Sequence, residues 1–324
     1  MRKTVHLCLS SHDEVMFRSE EDLNMGFNCL ALAILDTESR LLAEGFMTTH
    51  YHCLLQTDYF REVMYKCRFA YARYFNNKYG RKGRLGERQY FSLDVEGLHH
   101  TMAAMDYVLR QGVHHGLATT PFEYRHCSAN SFFRSALGKP DNHRLIQPSR
   151  RHIYLPSNVS IPVQYRMDEH GLLLREDIVD TGYVEQLYIS PRSFLFHMSK
   201  ITDEKDIQKQ KDENDLPPVT LDNIEAGVPA FSPKVAKDAE YGKVNRSVMT
   251  DLELCRFIDR VILPRYVKDS QRMSIYSIPE EKRVAIANLL WEEYSRTRYR
   301  SNGGGVFAGR IVTEAQIRRC TATK

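Results

Sequence analysis

Apolar and polar positions switch between two periods along the first 135 residues. Thr4 to Ser10 reads as a short strand. Residues 20–35 read as a helix, interrupted in pattern by Gly26. Leu41 to Phe46 and His50 to Gln56 read as two strands joined tightly through Thr48 and Thr49. Residues 59–79 carry Val63, Cys67, Ala70 and Tyr74 on one stripe, the spacing of an amphipathic helix. Gly80 to Gly86 is a basic, glycine-containing loop. Tyr90 to Val95 predicts a strand and Gly97 to Gln111 a helix. Strands and helices in alternation over this length predict an α+β fold: a small antiparallel sheet with helices packed on it.

Gly138-Lys139-Pro140 closes that unit, which spans residues 1–140. Residues 141–198 are expected to be a β-rich extension, with a hairpin at Gln164–Arg175 turning through Asp168 to Gly171. Residues 199–245 are charged and proline-containing, with few large apolar residues, and read as a linker. A helical accessory region, 246–324, follows. One helix runs over 250–263 and stops near Pro264; another starts after Ser277, with Pro279 in its first turn. Arg296-Thr-Arg-Tyr-Arg300 and the turn Asn302 to Gly305 come next. A short last helix opens at Thr313, with Gln316 three residues on. As the second helix of a helix-turn-helix it would offer Gln and Arg to base edges. As a packing helix it carries no chemistry.

Composition narrows the class. The chain has 324 residues, 42% of them hydrophobic, enough for one large or two modest domains. Its best apolar run, Phe27 to Leu35, is too short to span a bilayer, and no apolar signal segment follows the amino terminus. Seven cysteines are scattered without a CxxC pair. That usage suits a reducing cytoplasm and argues against a zinc ribbon. Net charge is +4, but residues 61–90 alone hold nine Lys or Arg against Glu62 and Glu87, a local excess of nine minus two, or +7. Tyrosines and phenylalanines are interleaved there. Such a stretch can steer a polyanion and stack unpaired bases. It can equally be a solvated helix face with its aromatics in the core.

The candidate chemistry starts at His50-Tyr51-His52. On a strand, residues two apart share a face, so both imidazoles stand side by side, and Tyr51 and Cys53 face the core opposite. A bare His-x-His is weak, since 13 histidines in 324 positions give about half of one such pair by chance. The helix at 97–111 adds a second signal. Leu98, Met102, Met105 and Leu109 lie within about 60° of one another. Tyr107 falls roughly opposite that stripe, beside Gln111 one turn later. A surface tyrosine would sit there too. His114 falls on the face of Tyr107; either His114 or His115 could serve as an alternative ligand, and both are expected rather to cap the helix or contact phosphate. His99 and His100 are expected at the surface.

The order of these motifs resembles the single-tyrosine HUH transposases, and within them the REP-associated tyrosine transposase branch. The matching stretches are His50-Tyr51-His52, Ala72-Arg-Tyr-Phe-Asn76, Tyr79 to Leu85, Arg88-Gln-Tyr-Phe-Ser92, Tyr107-Val-Leu-Arg-Gln111, Pro121-Phe-Glu-Tyr124 and Cys127-Ser128. They cover roughly residues 1–135. The resemblance implies an HUH catalytic domain. In it His50 and His52 hold a divalent metal, Mg²⁺ or Mn²⁺, with Gln111 as third ligand. Tyr107 is then the nucleophile toward a DNA phosphodiester. It implies a single-stranded DNA substrate near a hairpin, and a 5′-phosphotyrosine intermediate. Arg81, Lys82, Arg84 and Arg88 are the candidates for gripping the DNA backbone. Two stretches depart from the family: Thr48-Thr49 stands where Pro-Asn is common, and Gln111-Gly112 where the branch often has Asn-Pro. The C-terminal extension would serve target recognition or self-association as a homodimer. The rivals are a rolling-circle initiator or relaxase and a DNA-binding regulator without cleavage.

Overall fold

In a computed structural model the chain is described over residues 2–155, 161–200, 203–220, 223–224, 249–268, 273–294 and 312–323. Four strands form one antiparallel sheet: β1 Thr4–Ser10, β2 Arg40–Phe46, β3 His50–Gln56 and β4 Phe91–Val95. Their order is β2-β3-β1-β4. The predicted α+β class and its four strands are therefore present. The β2–β3 connection is as tight as expected: the Met47 amide donates to the His50 carbonyl at 2.8 Å.

Register decides which side chains share a face. His50 pairs with Ser10, His52 with Cys8 and Leu54 with His6. These six residues point to one side of the sheet. Val5, Leu7, Leu9, Tyr51, Cys53 and Leu55 point to the other and are buried. That second side is covered by two helices, α1 Glu20–Asp36 and α2 Phe60–Tyr79. Tyr51 stacks on Phe46 with ring centroids 4.8 Å apart, and its hydroxyl reaches the Met64 sulfur at 3.2 Å. Gly26, in the middle of α1, has a packing reason: a Cβ there would lie 2.5 Å from Phe17 Cε1. Ser19 caps α1 with a reciprocal bond to Asp22, which satisfies two amides at the helix start.

The histidine side of the sheet is covered by α3 Leu98–Leu109 and the four-residue helix α4 Gln111–His114, which follows after a break at Arg110. Burial on α3 departs from the apolar stripe. Leu98 is 52% exposed, yet Met105 and Leu109 of the stripe are buried, and so are His100, Thr101, Ala104, Tyr107 and Val108. The helix is thus buried on two sides, and Tyr107, opposite the stripe, is buried as well. Hydrophobic phase misses this because polar side chains occupy the face over the sheet, while the side carrying Met102 meets later helices.

The extension differs most from its expectation. Residues 141–198 are helical where β structure is predicted: α5 Thr181–Tyr188 and α6 Pro191–Ser199 follow several 3-10 turns. The hairpin is present but short: Met167 and Leu173 form an antiparallel bridge, the Leu174 amide donates to the Arg166 carbonyl and the Asp168 amide to the Leu172 carbonyl, each at 2.9 Å, and Gly171 turns the chain at φ 77°. Around and beyond the hairpin the segment is bonded to the sheet domain. Asn28 accepts from the Leu173 amide at 3.0 Å and donates to the Gly171 carbonyl at 2.7 Å. The Asp180 amide donates to the Leu41 carbonyl at the β2 edge. The charged stretch after 199 includes α7 Glu204–Glu213, an amphiphile with a capping box at Asp203. Residues 225–245 of the expected linker, and the Arg296–Gly305 stretch, lie outside the described residues.

A second apolar cluster gathers Leu254, Ile258, Ile262, Ile286 and Ile317 from the last three long helical segments, and Ile275 from a 3-10 turn between them. The first of these passes through a π turn at Ile258–Ile262 and continues past Pro264, so it does not stop there. The other two are Glu280–Tyr294 and Glu314–Thr321, the latter capped by Thr313 with Gln316 as predicted. All seven cysteines are buried thiols without a disulfide. Among the described residues no helix is long and apolar enough to cross a membrane.

Candidate functional site

Gly45 is the residue that lets the site assemble. It pairs with His52 across the β2–β3 ladder, and a Cβ there would lie 3.1 Å from the Val108 carbonyl oxygen and 3.6 Å from Gln111 Cβ. Without a side chain at 45, α3 and α4 come down onto the strand that carries the histidines. Gly112 acts similarly on the far side, where a Cβ would lie 2.5 Å from Tyr124 Cβ. The Tyr124 hydroxyl in turn donates to the Phe46 carbonyl at 2.6 Å.

The four residues singled out from the sequence meet there. His50 and His52 rings stand 5.2 Å apart, and the Tyr107 ring lies 5.2 Å from His52, edge to face. Gln111 Oε1 is 3.5 Å from His50 Nε2 and 3.2 Å from His115 Nε2, while its amide nitrogen donates to the Tyr107 carbonyl at 3.1 Å. Both histidines of the pair are held by Nδ1. His50 Nδ1 meets the Thr49 hydroxyl at 3.1 Å, and His52 Nδ1 meets His6 Nε2 at 3.0 Å. An outer partner on one ring nitrogen fixes a histidine's orientation and sets the other nitrogen as the ligating one. Thr49 therefore has an orienting role.

Burial sets the charge state. It lowers the His6 pKa to about 3 and those of His50 and His114 to about 4, the Gln111 contact opposing the shift at His50. His52 and His115 are pushed well below the ordinary imidazole value by the same cause. All five rings are neutral at pH 7, the form that ligates metal. Two imidazoles presenting Nε2, with an amide oxygen beside them, are a donor set that fits a divalent ion; nitrogen donors favour Mn²⁺ over Mg²⁺. A second convergence of ligand atoms exists among the described residues: Asp141, His143 and Glu176 each offer one within 4.8 Å of the others. Arg166 bonds that Asp141 at 2.6 Å, and His143 bonds Glu176 at 2.7 Å.

Sequence reasoning missed His6. Its ring lies 5.2 Å from His52 and 5.8 Å from Tyr107, and its Nδ1 has no partner among the described residues. The signal was a third histidine on a strand, but only the sheet order puts β1 beside β3. His114 and His115, expected to cap the helix or touch phosphate, join the cluster, with rings 6.4 Å from Tyr107 and 5.0 Å from His50 respectively. His100, expected at the surface, is buried, and its Nδ1 accepts from the Glu96 amide. His99 is exposed as expected and binds Glu213 at 2.6 Å.

The four cations separate. Arg81 is engaged inside the protein: it donates to Asn76 Oδ1 at 3.0 Å and the Arg84 carbonyl at 2.9 Å, and pairs with Glu14. Lys82, Arg84 and Arg88 are exposed. Their loop ends beside the histidine strand, because the Glu87 amide donates to the carbonyl of Ser10, the residue paired with His50.

Comparison with known proteins adds little. No family model matches the chain, and no curated protein does. One solved structure, a REP-associated tyrosine transposase bound to a REP hairpin, aligns with 43% of this chain and 82% of its own. The TM-score is 0.33 and the identity 11%. A likeness that slight fixes neither fold nor function, and the reading of the site stands on its own residues.

Proposed function

We propose that the protein is a metal-dependent DNA strand-cutting and rejoining enzyme of the single-tyrosine transposase type, acting on single-stranded DNA near a hairpin. The observation that carries this is the meeting of Tyr107, His50, His52 and Gln111, drawn from a strand and two helices, in one neutral cluster. The Tyr107 oxygen attacks phosphorus in line. The P–O3′ bond breaks, a 5′-phosphotyrosine forms, and a free 3′-hydroxyl leaves. A 3′-hydroxyl, its own or that of another strand, reverses the step and restores the phosphodiester without an external energy source. Tyrosine titrates near pH 10, so its proton needs an acceptor; the imidazoles packed around Tyr107, their basicity lowered by burial, are weak bases for that role. A divalent ion held by His50, His52 and Gln111 would polarise a non-bridging phosphate oxygen. Lys82, Arg84 and Arg88 would hold the DNA backbone at the His50 end of the sheet.

One observation favours a second reading, DNA binding without cleavage: Tyr107 is 3% exposed and His50 1%. One experiment separates the two. The protein is incubated with a labelled pool of hairpin-bearing single-stranded oligonucleotides and Mn²⁺, then resolved on a denaturing gel. A covalent adduct is expected with the wild type and none with Tyr107→Phe. Replacing His50 or His52 by Ala should lower the yield about 10²-fold. DNA retention without any adduct would favour the regulator, and an adduct surviving in Tyr107→Phe would remove Tyr107 as nucleophile.

A further inference from the structure

A cavity of about 360 Å³ opens on the other flank of α3, with Tyr107 in its wall. That volume lies in the usual range for a small-ligand pocket, about 300–1,000 Å³. Its far walls come from the end of the extension and the stretch after it: Phe196 on α6, Lys200, Lys209 and Gln210 on α7, then Val219 and Thr220. These segments are fastened to α3 and the Arg110 that follows it at several points. The Tyr188 hydroxyl donates to Asp106 at 2.5 Å, Arg110 donates to the Lys200 carbonyl at 2.8 Å, and Glu213 accepts from the His99 amide at 2.8 Å.

The lining has three chemically distinct parts. Phe196 is 63% exposed, an aromatic face left in solvent beside the apolar Met102 and Ala103. Lysines and arginine outnumber aspartates three to two (Arg110, Lys200 and Lys209 against Asp106 and Asp206). Lys200 pairs with Asp206, whereas Arg110 and Lys209 have no carboxylate partner among the described residues. Third, Gln210 is 2% exposed; its oxygen accepts from the Val219 amide at 2.8 Å, and its amide nitrogen has no partner among the described residues. A buried donor of that kind is costly to leave unmade, and a ligand acceptor would satisfy it.

We propose that this cavity is a nucleotide-binding pocket. The base lies against Phe196 and Met102, the Gln210 amide donates to a base carbonyl or ring nitrogen, and the phosphate meets Lys209 and Arg110. Aromatic stacking beside cations is the general solution for holding an unpaired nucleotide. Taken with the strand-cutting reading, on which this identification of the strand rests, the occupant is the nucleotide next to the phosphate that Tyr107 attacks. These segments would then choose the base at the cut.

The test measures binding of the four deoxynucleoside 5′-monophosphates and of inorganic phosphate to the full chain by calorimetry, with EDTA present. At least one nucleotide should bind, and phosphate alone should bind more weakly. Phe196→Ala should weaken nucleotide binding roughly tenfold, and Lys209→Ala roughly fivefold. Lys211→Ala, on the same helix outside the cavity, should change nothing. Both altered residues are exposed, so the variants keep the fold. No binding by any nucleotide, equal binding of phosphate alone, or wild-type affinity in Phe196→Ala and Lys209→Ala would each overturn the pocket. If nucleotides bind but the wild type forms no DNA adduct, the cutting reading fails and the pocket stands as a site for a free nucleotide.

Discussion

Replacing Arg175 by Ala should cost about 3–5 kcal/mol of stability, the usual penalty for breaking one side of a buried ion pair. Arg175 lies in the segment read from sequence as a β-rich extension. Its Nε donates to Glu44 at 2.5 Å, and the two side chains are 3% and 0% exposed. The guanidinium also lies over the Phe27 ring at 4.2 Å. Glu44 belongs to β2 and faces α1, so the pair joins the extension to the interior of the sheet domain. Opposite charges near 4 Å attract by about 4 kcal/mol at an effective dielectric of about 20. Desolvation of both groups offsets much of that while the pair is intact. Once Arg175 is gone the carboxylate keeps its desolvation cost and loses its partner; burial already raises the Glu44 pKa and Arg175 opposes that rise. Total stabilities are about 5–15 kcal/mol, so the loss is a large share. The assay is urea unfolding followed by circular dichroism at pH 7.5. Arg175→Met with Glu44→Gln should recover much of the loss, because no unpaired charge remains. An Arg175→Ala variant within 1 kcal/mol of wild type (roughly the effect of an ordinary surface change) would refute the reasoning, as would a double variant no better than the single one.

Other outcomes follow from the same geometry. His6, His50 and His114 are held neutral by burial, with folded pKa values of about 3, 4 and 4 against 6.5 unfolded. A depressed imidazole pKa contributes stability above pH 6.5 that is lost as pH falls from 6.5 toward 4, so metal-free protein should lose about 1–2 kcal/mol per ring by pH 5. A urea midpoint that stays level between pH 7.5 and 5 would contradict this. Gly112→Ala places a Cβ 2.5 Å from Tyr124 and should destabilise by about 1–3 kcal/mol. Adduct yield should fall with it, because Gln111 is the adjacent residue. Lys82→Ala and Arg88→Ala should each reduce the salt dependence of DNA binding by about one phosphate contact. Arg81→Ala should instead lower thermal stability, since Arg81 is bonded to Glu14 and Asn76.

Much of the sheet domain was legible from local pattern. β1 and β3 begin and end where the period of two begins and ends, and α2 differs from its expected span by one residue. Tight turns, caps and alternation are short-range properties, so the chain states them directly. The Thr313 cap with Gln316 is of the same kind. The extension was not legible in this way. Asn28, Glu44 and Leu41 bind residues 171–180 to the sheet domain, and those partners lie more than a hundred residues away in sequence.

The site divides along the same line. His50 and His52 share a face because a strand alternates, and Gln111 follows Tyr107 by one turn because a helix repeats; sequence by itself determined both. It did not determine that Tyr107 faces inward. α3 is buried on the side of Tyr107 as well as at Met105 and Leu109, so hydrophobic phase marked only one of its two buried sides. Strand order brought His6 to His52, the missing side chain of Gly45 let the helices descend, and the folded-back extension and the stretch after it walled the cavity beside Tyr107. Those are contacts between segments distant in the chain, set by packing and polar pairing across the core, and only the tertiary structure decides them.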